Sequence, residues 1–245
     1  MPNPTAAMLV IGDEILSGRT RDANLHHLAG VFAAAGITLK EARVISDDPS
    51  AIVAAVNALR TAHDIVITSG GIGPTHDDIT ADCVAAAFGV PIDVREDARA
   101  ILQARYDEMG TELNAARLRM ARIPDTAELI ANPVSGAPGF RIGNVYVMAG
   151  VPSVFQAMVA QVLPDLGGGA PLISQTIRVD LPEGDIAGPL GQIATEFPSV
   201  SLGSYPFQEN MAYGANIVLR GADGDQVDLA AVAVARAFGP KARDA

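Results

Sequence analysis

Two acidic pairs and one glycine turn are the residues in this 245-residue chain whose types and spacing could do chemistry. Ser69-Gly70-Gly71-Ile72-Gly73-Pro74-Thr75 is followed at once by His76-Asp77-Asp78-Ile79-Thr80. Glycines there allow positive φ and let a ligand approach the main chain. A helix beginning just after them would offer free N–H groups and the positive end of its dipole to an anion such as phosphate. The turn lacks the Gly-Lys-Ser/Thr of a Walker loop and does not match G-x-G-x-x-G. Turns of this composition also follow strands simply as tight turns.

The neighbouring acids change that balance. One aspartate is expected as a helix N-cap. Two beside a phosphate turn repel the ligand unless a divalent metal bridges carboxylate and phosphate. Asp47-Asp48 poses the same choice. Asp48 before Pro49 reads as an N-cap followed by proline at the first helical position, which leaves Asp47 the freer acid. Gly12-Asp13-Glu14-Ile15-Leu16-Ser17-Gly18 adds two acids. Carboxylates on several loops at one sheet edge can form a hard-cation site, or can simply be solvated. His26, His27 and His63 read as surface or packing residues, and His76 could touch a ligand. Cys83 reads as a packed helix residue. No Ser-His-Asp or Cys-His arrangement stands out.

The elements that must position these residues alternate. Strands are expected at Met8–Gly12, Leu39–Ser46, Asp64–Thr68 and Val145–Met148. Helices are expected at 24–35, after Asp48-Pro49, from Asp78 to Phe88, and after Gly150-Val151-Pro152-Ser153. Two charged helical stretches, 95–109 and 114–121, read as a surface excursion. This is the order of a doubly wound α/β domain with a mostly parallel sheet, in which ligands sit at the carboxyl ends of the strands. The loops Gly12–Gly18, Ser69–Asp78 and Ala149–Ser153 all leave such ends. After Gly167-Gly168-Gly169-Ala170-Pro171 the pattern becomes a small α+β unit of βαββα order: strand Ser174–Leu181, helix 184–196, strands Val200–Tyr205 and Asn216–Arg220, helix 225–238. The expected domains are therefore 1–168 and 171–245.

Composition sets limits. Forty-nine per cent of residues are hydrophobic and the net charge is −11. Disorder is not expected, nor a nucleic-acid partner, which calls for clustered Lys and Arg. No apolar run is long enough to cross a bilayer, so no membrane partner is expected. A single cysteine gives no internal disulfide framework. The start, Met-Pro-Asn-Pro-Thr, lacks the pattern of a signal peptide, and a cytoplasmic location is expected.

Several motifs in order resemble a known family. SGGIGPTHDDIT resembles the turn of molybdopterin-binding domains, found in Mog, MoaB, MoeA/gephyrin and CinA proteins. GDEILSG resembles their first-strand loop, SDDPSAI their acidic loop, and AGVPSVFQAM their last ligand-side turn. NAARLRMARIP, ANPVSGAPGF and SYPF are similar to the CinA branch and to the N-terminal domain of eukaryotic FAD synthases. The resemblance covers about residues 8–165 strongly and the tail weakly. It implies a phosphate-bearing small-molecule ligand, a nucleotide or pterin, and a homo-oligomer, with 95–121 as a candidate contact.

Position by position, the resemblance implies catalytic roles for Asp47 and Asp78. It implies ligand-binding roles for Gly12, Asp13, Ser17, Asp22, Ser69, Gly70, Gly71, Gly73, Thr75, Gly150, Pro152 and Ser153. Asp77 stands where the adenylyltransferases tend to carry a basic residue, which points to the CinA branch. That branch implies hydrolysis of pyrophosphate bonds in ADP-ribose or FAD-like compounds, with a divalent metal (Co, Mn or Mg) and potassium. Asp47, Asp77 and Asp78 are the candidate metal ligands, and no redox cofactor is expected. Adenylyl transfer to molybdopterin, or binding without turnover, are the competing readings. The chain ends before the deamidase domain of a full CinA protein and lacks the adenylyltransferase domain of a bifunctional FAD synthase. It resembles a free-standing first half.

Overall fold

The computed structural model describes residues 3–209 and 212–244. Met1 and Pro2, used in reading the start of the chain, lie outside the described residues. So do 210, 211 and 245, within the span given to the small unit. The chain divides into two compact units, Met1–Gly169 and Ala170–Ala245.

The first unit runs β1 (Thr5–Ile11), α1 (Asp13–Leu16), α2 (Asn24–Ala34), β2 (Thr38–Ile45), α3 (Pro49–Ala62), β3 (Ile65–Ser69) and α4 (Thr80–Phe88). It continues with β4 (Ile92–Val94), α5 (Glu96–Glu108), α6 (Ala115–Leu118), β5 (Arg122–Pro124), β6 (Glu128–Ile130), β7 (Gly139–Ile142), β8 (Val145–Met148) and α7 (Pro152–Val162). The central sheet has the order β2-β1-β3-β8-β7-β6. Its first four strands are parallel and its last two antiparallel.

Period-two alternation builds both layers from the same strands. Ala7, Leu9 and Ile11 of β1 face one core with Ile52, Val56 and Leu59 of α3 and Val84 of α4. Ala6, Met8 and Val10 face the other, against Leu28 and Phe32 of α2 and Phe155, Met158 and Val159 of α7. Both faces of β1 are thus dry, which is why it reads as a continuous apolar run.

The structure corrects the reading of 95–121 as a surface excursion. Ala98 and Leu102 of α5 are buried in the first core, and so is Ala121. α6 is one turn long and passes into a 3-10 turn at Arg119–Ala121. The three-residue strands β4 and β5 pair antiparallel beside it. Strands this short carry too little alternation to be read from sequence.

In the second unit β9 (Ile173–Val179), α8 (Glu183–Glu196), β10 (Ser201–Glu209), β11 (Ala212–Gly221), α9 (Gly224–Phe238) and β12 (Ala242–Asp244) follow in turn. The sheet order is β10-β11-β9-β12, antiparallel throughout. The expected βαββα order omits the last strand. Ile177, Val179, Ile217 and Leu219 pack against Ile186 and Leu190 of α8 and Val227 and Val234 of α9. No helix among the described residues is long and apolar enough to cross a membrane.

Asp48 caps α3 as its place before Pro49 predicts. Its side chain accepts from the Ala51 N–H at 2.8 Å, and Pro49 opens the helix. The Ser50 hydroxyl and then the Ala51 N–H hold the Asp48 carboxyl below the usual carboxylate range. The folded value lies below the unfolded one, so the stabilisation is present above the unfolded value and fades as pH falls through the folded one. Asp48→Ala is therefore expected to lower the melting temperature by a few degrees at neutral pH. The difference from wild type should shrink once pH drops below about 4. Melting curves at several pH values check this, and a difference independent of pH would contradict it.

Candidate functional site

Three loops leave the carboxyl ends of β1, β3 and β8, and they meet at Gly70. The Gly70 N–H donates to the Met148 carbonyl at 3.2 Å. A Cβ on Gly70 would lie 2.2 Å from the Ile11 carbonyl oxygen, and one on Gly150 would lie 3.2 Å from the Gly70 Cα. Gly70 has φ +107°. Glycine is thus required here by loop-on-loop packing, before any ligand is considered. Asn24, at the start of α2, ties the same loops. Its Nδ2 donates to Ser69 Oγ and to the Gly150 carbonyl, each at 2.8 Å. Thr80, fully buried, donates its hydroxyl to the Gly70 carbonyl at 3.0 Å.

The loops enclose a cleft of 530 Å³. Of the residues singled out in the sequence, Gly12, Asp47, Gly70, Gly71, Gly73, Asp77, Asp78, Gly150 and Pro152 line it. Among the described residues the N–H groups of Gly71, Ile72 and Gly73 have no acceptor within the chain. They are therefore available to a ligand anion.

Asp13, Ser17, Asp22, Ser69, Thr75 and Ser153 do not line the cleft, and most have local work. Asp22 caps α2, accepting from the N–H groups of Asn24 at 3.3 Å and Leu25 at 3.0 Å. Ser69 is the buried last residue of β3 and is held by Asn24. Ser17 Oγ donates to the Glu14 carbonyl at 3.3 Å. Asp13 is exposed, but its N–H donates to Asp47 Oδ2 at 2.9 Å, so Asp47 joins the first loop to the acidic loop. Ser153 lies exposed in the first turn of α7.

Neither aspartate after the glycine turn caps α4. The helix starts at Thr80, with Ile79 at the cap position and no side-chain cap. Asp78 folds back instead, and its Oδ2 accepts from the Thr75 N–H at 2.8 Å and from the Thr75 hydroxyl. This ring, closed back onto a residue three positions earlier, outcompetes the cap. Thr75 first, and then its own backbone N–H, hold the exposed Asp77 carboxyl below the usual carboxylate range. The hydroxyl has one proton, and the hydrogen bond it makes is to Asp78, so the backbone is the firmer of these two influences on Asp77.

Asp47, Asp77 and Asp78 share the cleft, yet no three His, Cys, Asp or Glu side chains among the described residues are grouped closely enough to hold a metal ion by themselves. Cys83 is buried in α4. Burial, then the charges of Asp82 and Asp48, push its thiol up to about 11, which keeps it protonated and un-nucleophilic.

Glu14, one of the two acids of the first loop, also lines the cleft, and it has walls not singled out in the sequence: Thr20, Met120, Asn132, Ser135 and Ala137. Asn132 is buried and knots its own loop. Its Nδ2 donates to Ser135 Oγ at 2.6 Å and to the Ala137 carbonyl at 2.8 Å, while Oδ1 accepts from the N–H groups of Val134 and Ser135. The Asn-Pro and Ser-Gly dipeptides of ANPVSGAPGF signal the loop, though not where it folds to.

Comparison with known proteins places the chain. The model of the probable molybdopterin binding domain matches residues 7–168, and that of the FAD synthase middle domain matches 171–243. A probable FAD synthase of Caenorhabditis elegans is 34% identical over 240 residues, covering 88% of this chain and 46% of that protein. A CinA-like protein of Citrifermentans bemidjiense is 38% identical over 167 residues, covering 66% of this chain and 40% of its own length. The chain thus spans less than half the length of these two relatives. The solved structure of CinA from Thermoplasma acidophilum, a protein of unknown function, matches with a TM-score of 0.61 at 32% identity, over 66% of this chain and 98% of that one. The chain belongs to the molybdopterin-binding-domain family, with CinA-like proteins and FAD synthases among its relatives, and it carries a segment of the FAD synthase middle-domain kind after that domain.

Proposed function

We propose that the chain is a metal-dependent hydrolase of nucleotide pyrophosphate bonds, acting on ADP-ribose or FAD-like compounds. The observation that carries this reading is the meeting of the Gly71–Gly73 N–H groups with Asp47, Asp77 and Asp78 in one cleft. Backbone donors suit the pyrophosphate, and carboxylates facing it suit a hard cation. The three acids do not form a closed cage, which fits a cation that takes the rest of its oxygen ligands from the substrate phosphates and water. Asp47 and Asp78 would hold such a cation, Co²⁺, Mn²⁺ or Mg²⁺, with Asp77 beside them. The bound ion would neutralise charge developing on the phosphate oxygens. Asp47 keeps one oxygen on the Asp13 N–H and Asp78 one on Thr75, so each carboxylate is oriented by its loop with its other oxygen unclaimed by those bonds.

The test is AMP release from ADP-ribose, FAD and NAD, with each metal and with K⁺. Metal-dependent release that a chelator abolishes is expected. No release above an Asp78→Ala control would overturn the reading. Adenylylation of molybdopterin from ATP, without hydrolysis, would replace it with the transferase reading.

A further inference from the structure

Among the described residues the cleft is lined by Glu14, Asp47, Asp77 and Asp78 and by no Lys, Arg or His. A pyrophosphate brought there meets four acids. Behind the glycine turn lies a narrow crevice that shares Gly71, Ile72, Gly73, Asp78 and Met120 with the cleft, and it contains Arg119 and Arg122.

These two arginines differ. Arg122 is paired with Asp82. Arg119 has no carboxylate in ion-pair distance among the described residues. Its one hydrogen bond runs from Nη2 to the Asp78 carbonyl at 3.4 Å, which is long, and its Nε is buried without an acceptor. Every other arginine between 95 and 122 has an ion pair or a ring partner, although the Nε of Arg105 is likewise buried without an acceptor. Arg95 pairs with Asp97, Arg99 with Glu96 and Arg105 with Glu108. Arg117 lies over the Tyr106 ring and donates to the Glu112 carbonyl. A guanidinium has five N–H donors, and leaving a charged group's donors unmet costs free energy. The Asp78 carbonyl also places Arg119 next to the start of α4, where the helix dipole is already positive. Two sources of positive potential therefore lie beside Gly71–Gly73; of the two acids that line the crevice, Asp82 is taken by Arg122 and Asp78 is turned onto Thr75, which leaves Arg119 without a carboxylate partner among the described residues.

We propose that Arg119 is a ligand-binding residue, the cation that grips a phosphate of a nucleoside diphosphate seated on the glycine turn. The choice of ligand rests on the pyrophosphate reading above. The packed 95–121 segment gains a purpose from it. Ala98, Leu102 and Ala121 anchor the segment in the core, and the 3-10 turn carries Arg119 to the back of the phosphate site.

The experiment is calorimetric titration of the full chain with ADP-ribose, ADP and inorganic pyrophosphate, for wild type, Arg119→Gln and Arg119→Lys. Arg119→Gln is expected to weaken ADP-ribose binding about tenfold or more, and Arg119→Lys to recover part of the loss. Melting temperature and circular dichroism should stay unchanged. Should Arg119→Gln fold poorly, Arg119→Met keeps the apolar stem and makes the same comparison. Equal affinity in wild type and a folded neutral variant would overturn the proposal, as would a wild type that binds none of the three ligands. Binding that depends on Arg119 without any hydrolysis would instead sink the hydrolase reading and leave Arg119 in place.

Discussion

Asp78→Asn is expected to lower AMP release by about a hundredfold or more, with little change in stability. The asparagine keeps an oxygen that can accept from the Thr75 N–H, so the ring that closes the turn can persist. It loses the charge, and with it the attraction for a divalent cation. Asp78→Ala removes both. The Thr75 N–H and hydroxyl then lose their shared acceptor, and the turn should loosen as well. Comparing the two variants separates charge from loop order. The metal dependence sharpens the test: if Asp78 holds the ion, the asparagine variant needs more metal to reach its reduced maximum. Turnover at the wild-type rate in Asp78→Asn would remove Asp78 from the chemistry and leave it a loop residue.

How much of this could be read in advance follows from the range of the interactions. The Asp48 cap is fixed by residues within three positions, so sequence suffices. The buried parallel strands are legible because burial on both faces leaves a continuous apolar run, as in Met8–Ile11. Asp22 was equally local. Its bonds to the Asn24 and Leu25 N–H groups are an ordinary N-terminal cap pattern. The start of α4 is not legible in the sequence, for a different reason. Asp78 had two partners within reach, the helix end and Thr75, and composition does not say which wins. The unpaired state of Arg119 and the place of Asn132 depend on where distant segments pack, so no local pattern encodes them. The hydrogen bonds from Asn24 to Ser69 and Gly150 span 126 positions at their longest and are equally invisible to local patterns.

Gly70→Ala is expected to destabilise the protein by about 3 kcal/mol or more and to abolish ligand binding. Two separate effects add. A φ of +107° is strained for any residue with a Cβ, and the new carbon would sit 2.2 Å from the Ile11 carbonyl oxygen. The clashing atom is backbone in a central strand, so no rotamer change relieves it. Relief requires the β1 and β3 ends to move apart, which would carry Gly12 and Asp47 away from Gly71 and Asp78 and disturb the close approach of Gly150. Gly89→Ala is the matched control. Gly89 has φ +67° at the end of α4, and nothing lies within 4 Å of its added Cβ. It should cost only the left-handed strain, roughly 1–2 kcal/mol, and leave binding intact. Denaturant melts of both variants, with calorimetric titration of ADP-ribose, measure the difference. If Gly70→Ala is as mild as Gly89→Ala, the loops tolerate separation and the cleft is not held by their contact. If it is severe and binding disappears with it, the glycine turn acts first as the joint between three strand ends, and its capacity to hold a phosphate depends on that joint.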